Sequence, residues 1–90
     1  MTVVWKFPVP ATEEFQLMLP KGAEVLHVAS QGDAQKLYLW ARVDPKAKLI
    51  PRYFRRAGTG HPIGDDVGPH VSTFQMDGGR LVLHVFEVTA

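Results

Sequence analysis

The sequence predicts an all-β, mostly antiparallel domain of about seven short strands, arranged as a small sandwich or barrel with at most one helical turn. Three observations carry this. Apolar and polar residues alternate with a period of two in one run after another. Glycine, proline and Asp-Gly punctuation separates the runs at spacings of about ten to twelve residues. Helical periodicity is almost absent; only Lys46 to Ile50 has room for a helical turn, confined between Pro45 and Pro51.

Val3, Trp5 and Phe7 alternate with Thr2, Val4 and Lys6, and Phe15, Leu17 and Leu19 alternate with Glu14, Gln16 and Met18. Both runs read as strands. After Gly22, the β-rich stretch Glu24 to Gln31 leads through Gln31-Gly32-Asp33, a hairpin turn, into a returning strand with Leu37, Leu39, Ala41 and Val43 on one face. Tyr38, Trp40 and Arg42 occupy its other face, so the strand is either covered on both sides or presents an aromatic surface. Asp44-Pro45 ends it. Arg52 to Ala57 is the next short run, with Arg52, Phe54 and Arg56 on one face and Tyr53 and Arg55 on the other. Four glycines and two prolines between Gly58 and Pro69 then mark a long loop. His70 to Met76, the turn Asp77-Gly78-Gly79 and Arg80 to Val88 form the clearest hairpin, and its last strand, apolar on both faces, is central in a sheet.

One domain spans residues 1–90. Ninety residues, 46% hydrophobic and 21% charged with no cysteine, exclude a two-domain enzyme, a disordered chain and a disulfide scaffold. The N-terminal stretch has no apolar signal-peptide region, and no apolar run approaches the roughly 18–20 residues that span a bilayer. Cysteine-free composition fits a cytoplasmic location. A chain this short buries only about 60–65% of its unfolded surface, which makes a homo-oligomer the expected state.

The main electrostatic asymmetry lies within a net charge of only +1. Lys46, Lys48, Arg52, Arg55 and Arg56 place five of the ten basic residues in eleven positions, and no acidic residue occurs between Asp44 and Asp65. This block runs into Gly58-Thr59-Gly60-His61-Pro62. Arginine offers a planar fork for phosphate oxygens, and glycines let backbone N–H groups converge on an anion. The candidate ligand-binding residues are therefore Arg52, Tyr53, Arg55, Arg56, Gly58, Thr59, Gly60 and His61, with Tyr53, Phe54, Tyr38 and Trp40 available to stack on a base. A solvated, arginine-blunted strand edge is the competing reading of the same block. Neither the Rossmann nor the P-loop spacing is present. The low net charge suits a small nucleotide-like ligand better than a nucleic acid polymer.

Four histidines without cysteine or a compact ligand pair predict no metal site, and no cofactor is expected. His84 reads as a core or interface histidine satisfied by hydrogen bonding. Ser72, His61 or His70, and Asp65 or Asp66 supply the letters of a catalytic triad without a nucleophile elbow, so a non-enzymatic role is expected.

The segments Trp5-Lys6-Phe7-Pro8, Leu19 to Leu26, Leu39-Trp40-Ala41, Val43-Asp44-Pro45, Gly58-Thr59-Gly60-His61-Pro62-Ile63 and Gly78 to Glu87, in that order, resemble a family of small phage- and prophage-encoded proteins classed as a domain of unknown function. The stretches GTGHPI and LVLHVFE are its most specific parts. The resemblance implies a phage accessory protein in a bacterial host cell. By analogy with other small phage proteins, it suggests a sponge that sequesters a cyclic nucleotide or cyclic ADP-ribose immune signal in an oligomer. The alternative is a protein-interaction module, an inhibitor of a host defence protein or a small virion component, using the Tyr38/Trp40 face or an open strand edge.

Overall fold

In the computed structural model, which describes residues 1–32 and 36–89, the chain forms seven strands: β1 (Val3–Val9), β2 (Glu14–Pro20), β3 (Glu24–Gln31), β4 (Lys36–Val43), β5 (Leu49–Gly58), β6 (Val67–Met76) and β7 (Leu81–Val88). They make two antiparallel sheets, one ordered β1-β4-β3 and the other β2-β5-β7-β6. This is a sandwich; the sheets do not close into a barrel. Its two faces meet along one side, where edge strand β3 lies against edge strand β6.

Alternation decides what lies between the sheets. Leu37, Leu39, Ala41 and Val43 of β4 face inward with Val28 of β3, and meet Phe15 and Leu19 of β2, Phe54 of β5, Phe74 of β6 and Val85 of β7. Phe15 and Phe54, cross-strand partners, stack with ring centroids 5.2 Å apart. β7 is central, between β5 and β6, as its two apolar faces predict. The turn joining it to β6 is a single 3-10 turn at Asp77–Gly79, with positive φ at Asp77, Gly78 and Gly79. Of the β3–β4 hairpin turn, Gly32 has φ 78°, and Asp33 lies outside the described residues.

Three expectations change. The helical turn placed at Lys46 to Ile50 is instead a tight turn, in which Asp44 accepts the N–H of Lys46 on its side chain and that of Ala47 on its carbonyl, and β5 starts at Leu49. Pro51 is tolerated inside β5 because pairing with β7 begins only at Tyr53, so no β7 carbonyl waits opposite the missing N–H. Strand β6 likewise starts at Val67, not His70, and irregularities between Val67 and His70 and between His70 and Ser72 absorb Gly68 and Pro69. The long loop shortens accordingly.

The register also creates one buried polar joint. Ser72, inward-facing on β6, accepts the backbone N–H of Val28 at 3.1 Å and lies 2.6 Å from His27 Nδ1. It ties the two edge strands together where the sheets meet.

Candidate anion-binding pocket

Strand β5 splits the arginine block between the two faces of its sheet. Arg52 points inward on the same side as Phe54, which brings it to Glu87 of β7: Nε donates to Oε2 at 2.5 Å, Nη2 to Oε1 at 2.9 Å, and Nη1 to the Ala23 carbonyl at 2.8 Å. The hydrogen-bonded carboxylate raises the Arg52 pKa further, against the desolvation that opposes it. Arg52 thus closes one end of the sandwich.

Arg55 points the other way and gathers the 58–66 loop. It donates to Asp66 at 2.6 and 3.1 Å, to the Ile63 carbonyl at 2.7 Å and to Glu14 at 2.9 Å. The hydrogen bonds from Arg55 hold the Asp66 carboxyl below its ordinary pKa and raise that of the guanidinium. Both arginines spend their forks on the protein itself.

The glycine-rich segment is folded on its own residues too. The His61 N–H bonds to the Gly58 carbonyl at 3.1 Å, and the His61 ring covers Gly58 so closely that a Cβ there would sit 3.3 Å from Nδ1. Thr59 Oγ1 lies 2.7 Å from His84 Nε2, while His84 Nδ1 is 2.9 Å from Thr73 Oγ1, which is 2.8 Å from His70 Nε2. His84 is satisfied by hydrogen bonds, as expected. The contact also joins GTGHPI to LVLHVFE directly.

Arg56 is different. It faces inward at the end opposite Arg52, its N–H bonded to the Glu13 carbonyl, and its guanidinium forms no ion pair among the described residues. With Lys36 and Tyr38 of β4 and Pro8, Val9 and Leu37 it lines a concavity of about 380 Å³. Among the described residues, no carboxylate contributes to this wall. A second concavity, about 460 Å³, lies around Tyr53 and Arg55, but Glu14 and Asp66 line it as well, so its charge balance is negative. Formal charge is thus positive around the first and negative around the second among the described lining residues.

Of the eight sequence-derived residues, then, Gly58, Thr59, Gly60 and His61 stay together as a turn, Tyr53 and Arg55 share the acidic concavity, Arg52 is an end clamp, and Arg56 alone reaches the basic pocket. Lys36 was not singled out from the sequence. The signal was present in the alternation of β4, which puts Lys36 on the face of Tyr38 and Trp40.

These features define an antiparallel β-sandwich protein with a small basic pocket at one end. The chain belongs to the family described as a domain of unknown function (DUF7352), matched over residues 1–90. No curated protein and no solved structure matches it. Among the described residues, no helix is long and apolar enough to cross a membrane.

Proposed function

We propose that the protein is a non-enzymatic binding module for a small phosphate-bearing ligand held at Arg56, Lys36 and Tyr38. In the fuller form of this reading it is a phage accessory protein that sequesters a cyclic nucleotide or cyclic ADP-ribose signal in the host cytoplasm as a homo-oligomer. The observation that carries it is Arg56, which shares the lining of a concavity with a second cationic residue, Lys36, and, among the described residues, with no carboxylate. A guanidinium fork and an ammonium match the oxygens of a phosphate, and the tyrosine supplies an aromatic wall beside them. A concavity of this size on a domain this small covers part of a nucleotide, and a second copy would supply the remaining walls.

The test is thermal unfolding of the full chain against a panel of cyclic dinucleotides and ADP-ribose derivatives. A ligand present at one hundred times its Kd adds about 2.7 kcal/mol, a rise of about 10–20 °C for a domain of this size. Arg56→Gln is expected to remove the shift. No shift with any nucleotide, together with capture of a host protein that survives Arg56→Gln, moves the assignment to a protein-interaction module. Appearance of a product on incubation moves it to an enzyme.

A further inference from the structure

Apart from the pocket at Arg56, we infer that the outward face of the β1-β4-β3 sheet binds single-stranded nucleic acid, with Trp40 as the ring on which a base stacks. Alternation turns Leu37, Leu39, Ala41 and Val43 of β4 inward and leaves Tyr38, Trp40 and Arg42 outward. The register sets Lys6 of β1 and His27 of β3 on either side of Trp40, in one row across the three strands. His27 and Trp40 stack with ring centroids 6.4 Å apart and planes 27° from parallel, and the Trp40 ring centroid lies 6.2 Å from that of Tyr38. Tyr38 carries the Lys6 ammonium, whose Nζ is 4.6 Å from the ring centroid and donates to Gln31 Oε1 at 2.8 Å. The His27 ring is held from the other edge, its Nδ1 2.6 Å from the buried Ser72 hydroxyl. Rings fixed in this way lose little freedom when a base settles on them. Trp40 and Tyr38 remain partly exposed, and no further strand or helix lies over this face among the described residues.

Charge decides which partner the rings suit. Strands β1, β3 and β4 hold three cations, Lys6, Lys36 and Arg42, and one carboxylate, Glu24, which pairs with Arg42 at 2.6 Å. This sheet therefore carries more positive charge than the whole chain, whose net charge is +1. Two copies laid face to face would oppose that excess to itself. A single strand of nucleic acid answers both features: its bases present π faces to Trp40, and its phosphates reach Lys6 one strand away. Stacking does not draw on a long-range field, so a strongly basic chain is not required. A duplex keeps its bases stacked on one another and offers this face only phosphate.

Neither Trp40 nor Lys6 lines the Arg56 concavity, so variants at these positions report on the face and not on the pocket. The experiment is fluorescence anisotropy of labelled oligothymidylate and oligouridylate of about twelve nucleotides, titrated with the full chain at several salt concentrations. The single strands are expected to bind at least about tenfold more tightly than a duplex of the same length, with a log–log salt slope of about −2. Trp40→Ala weakens binding at least about fivefold while Trp40→Phe stays within about threefold, and Lys6→Gln reduces the slope by about 0.7. Thermal unfolding checks that each variant is folded; Lys6 is a surface residue, so its replacement leaves the core untouched. No binding of either strand at low salt, equal affinity for the duplex, or a folded Trp40→Ala protein of parental affinity overturns the inference. Should Trp40→Ala not fold, an unchanged slope in Lys6→Gln overturns it. Displacement of the strand by polyglutamate at equal charge concentration overturns it as well, and assigns the face to an acidic polypeptide.

Discussion

Arg52 and Glu87, 35 residues apart in sequence, meet in a two-pronged ion pair at one end of the sandwich, each side chain about one-fifth exposed. The pair lies on the inward faces of β5 and β7, next to Phe54 and Val85, and its geometry also satisfies the Ala23 carbonyl. An arginine in this position is stable only while the opposing charge is present. Glu87→Gln is expected to lower stability by about 1–3 kcal/mol, because it leaves a largely desolvated guanidinium with one neutral acceptor in place of a carboxylate. Replacing both, Arg52→Met with Glu87→Leu, should recover most of that loss. Urea unfolding of the single and double variants reads the difference; a Glu87→Gln protein as stable as the parent means that water screens the pair.

Asp66 gives the protein a specific acid sensitivity. Its carboxyl is held below the ordinary aspartate range chiefly by the hydrogen bonds from Arg55. A group whose folded-state pKa is lowered contributes stability that is present above its unfolded value, about 4, and is lost as pH falls through the folded value. The melting temperature should therefore decline more steeply below pH about 4 in the parent than in Asp66→Asn, which begins lower and has no such proton to take up. Parallel pH profiles for the two proteins would show that the clamp does not contribute.

The strands were legible because their signal is local. The Asp77-Gly78-Gly79 turn and the central position of β7 both follow from residues adjacent in the chain. Pro51 misled for the same reason: as local punctuation it breaks a strand, and only the β7 register, which starts at Tyr53, shows that its missing N–H faces no acceptor. The arginine block was legible as charge but not as chemistry. The carboxylates that consume Arg52 and Arg55 stand 35, 11 and 41 residues away, and pairing across such separations is set by sheet order. Arg56 and Lys36 come from different sheets. Their proximity exists only once the sheets are stacked.

Ser72 supplies an independent test of how the two edges are joined. Its hydroxyl is the acceptor for the Val28 N–H, in a strand whose next partner on that side is not another ladder. Ser72→Ala leaves this buried donor unpaired and is expected to cost about 1–3 kcal/mol. The damage should be localised: hydrogen exchange at Val28 should accelerate more than at Leu39, which sits in the middle of the same sheet. Uniform acceleration at both sites, with no difference between them, would contradict a local joint.

Gly64 isolates the energetic weight of the Arg55 clamp. Its φ of +84° lies in the left-handed region, and a Cβ there would come within 2.8 Å of Arg55 Nη1 and 2.9 Å of Asp66 Oδ1. Gly60 has nearly the same φ, +86°, but a Cβ would meet nothing within 4 Å. Alanine at either position carries the same backbone penalty of about 1–2 kcal/mol. Only at 64 does it also push between the guanidinium and its carboxylate, so Gly64→Ala should destabilise the protein beyond Gly60→Ala, and that excess should shrink when Asp66→Asn has already weakened the ion pair. Thermal unfolding of the three single variants and the Gly64→Ala, Asp66→Asn double variant measures the coupling. Equal costs at Gly60 and Gly64 would mean that the loop yields around the added methyl group and that Arg55 does not hold it rigidly.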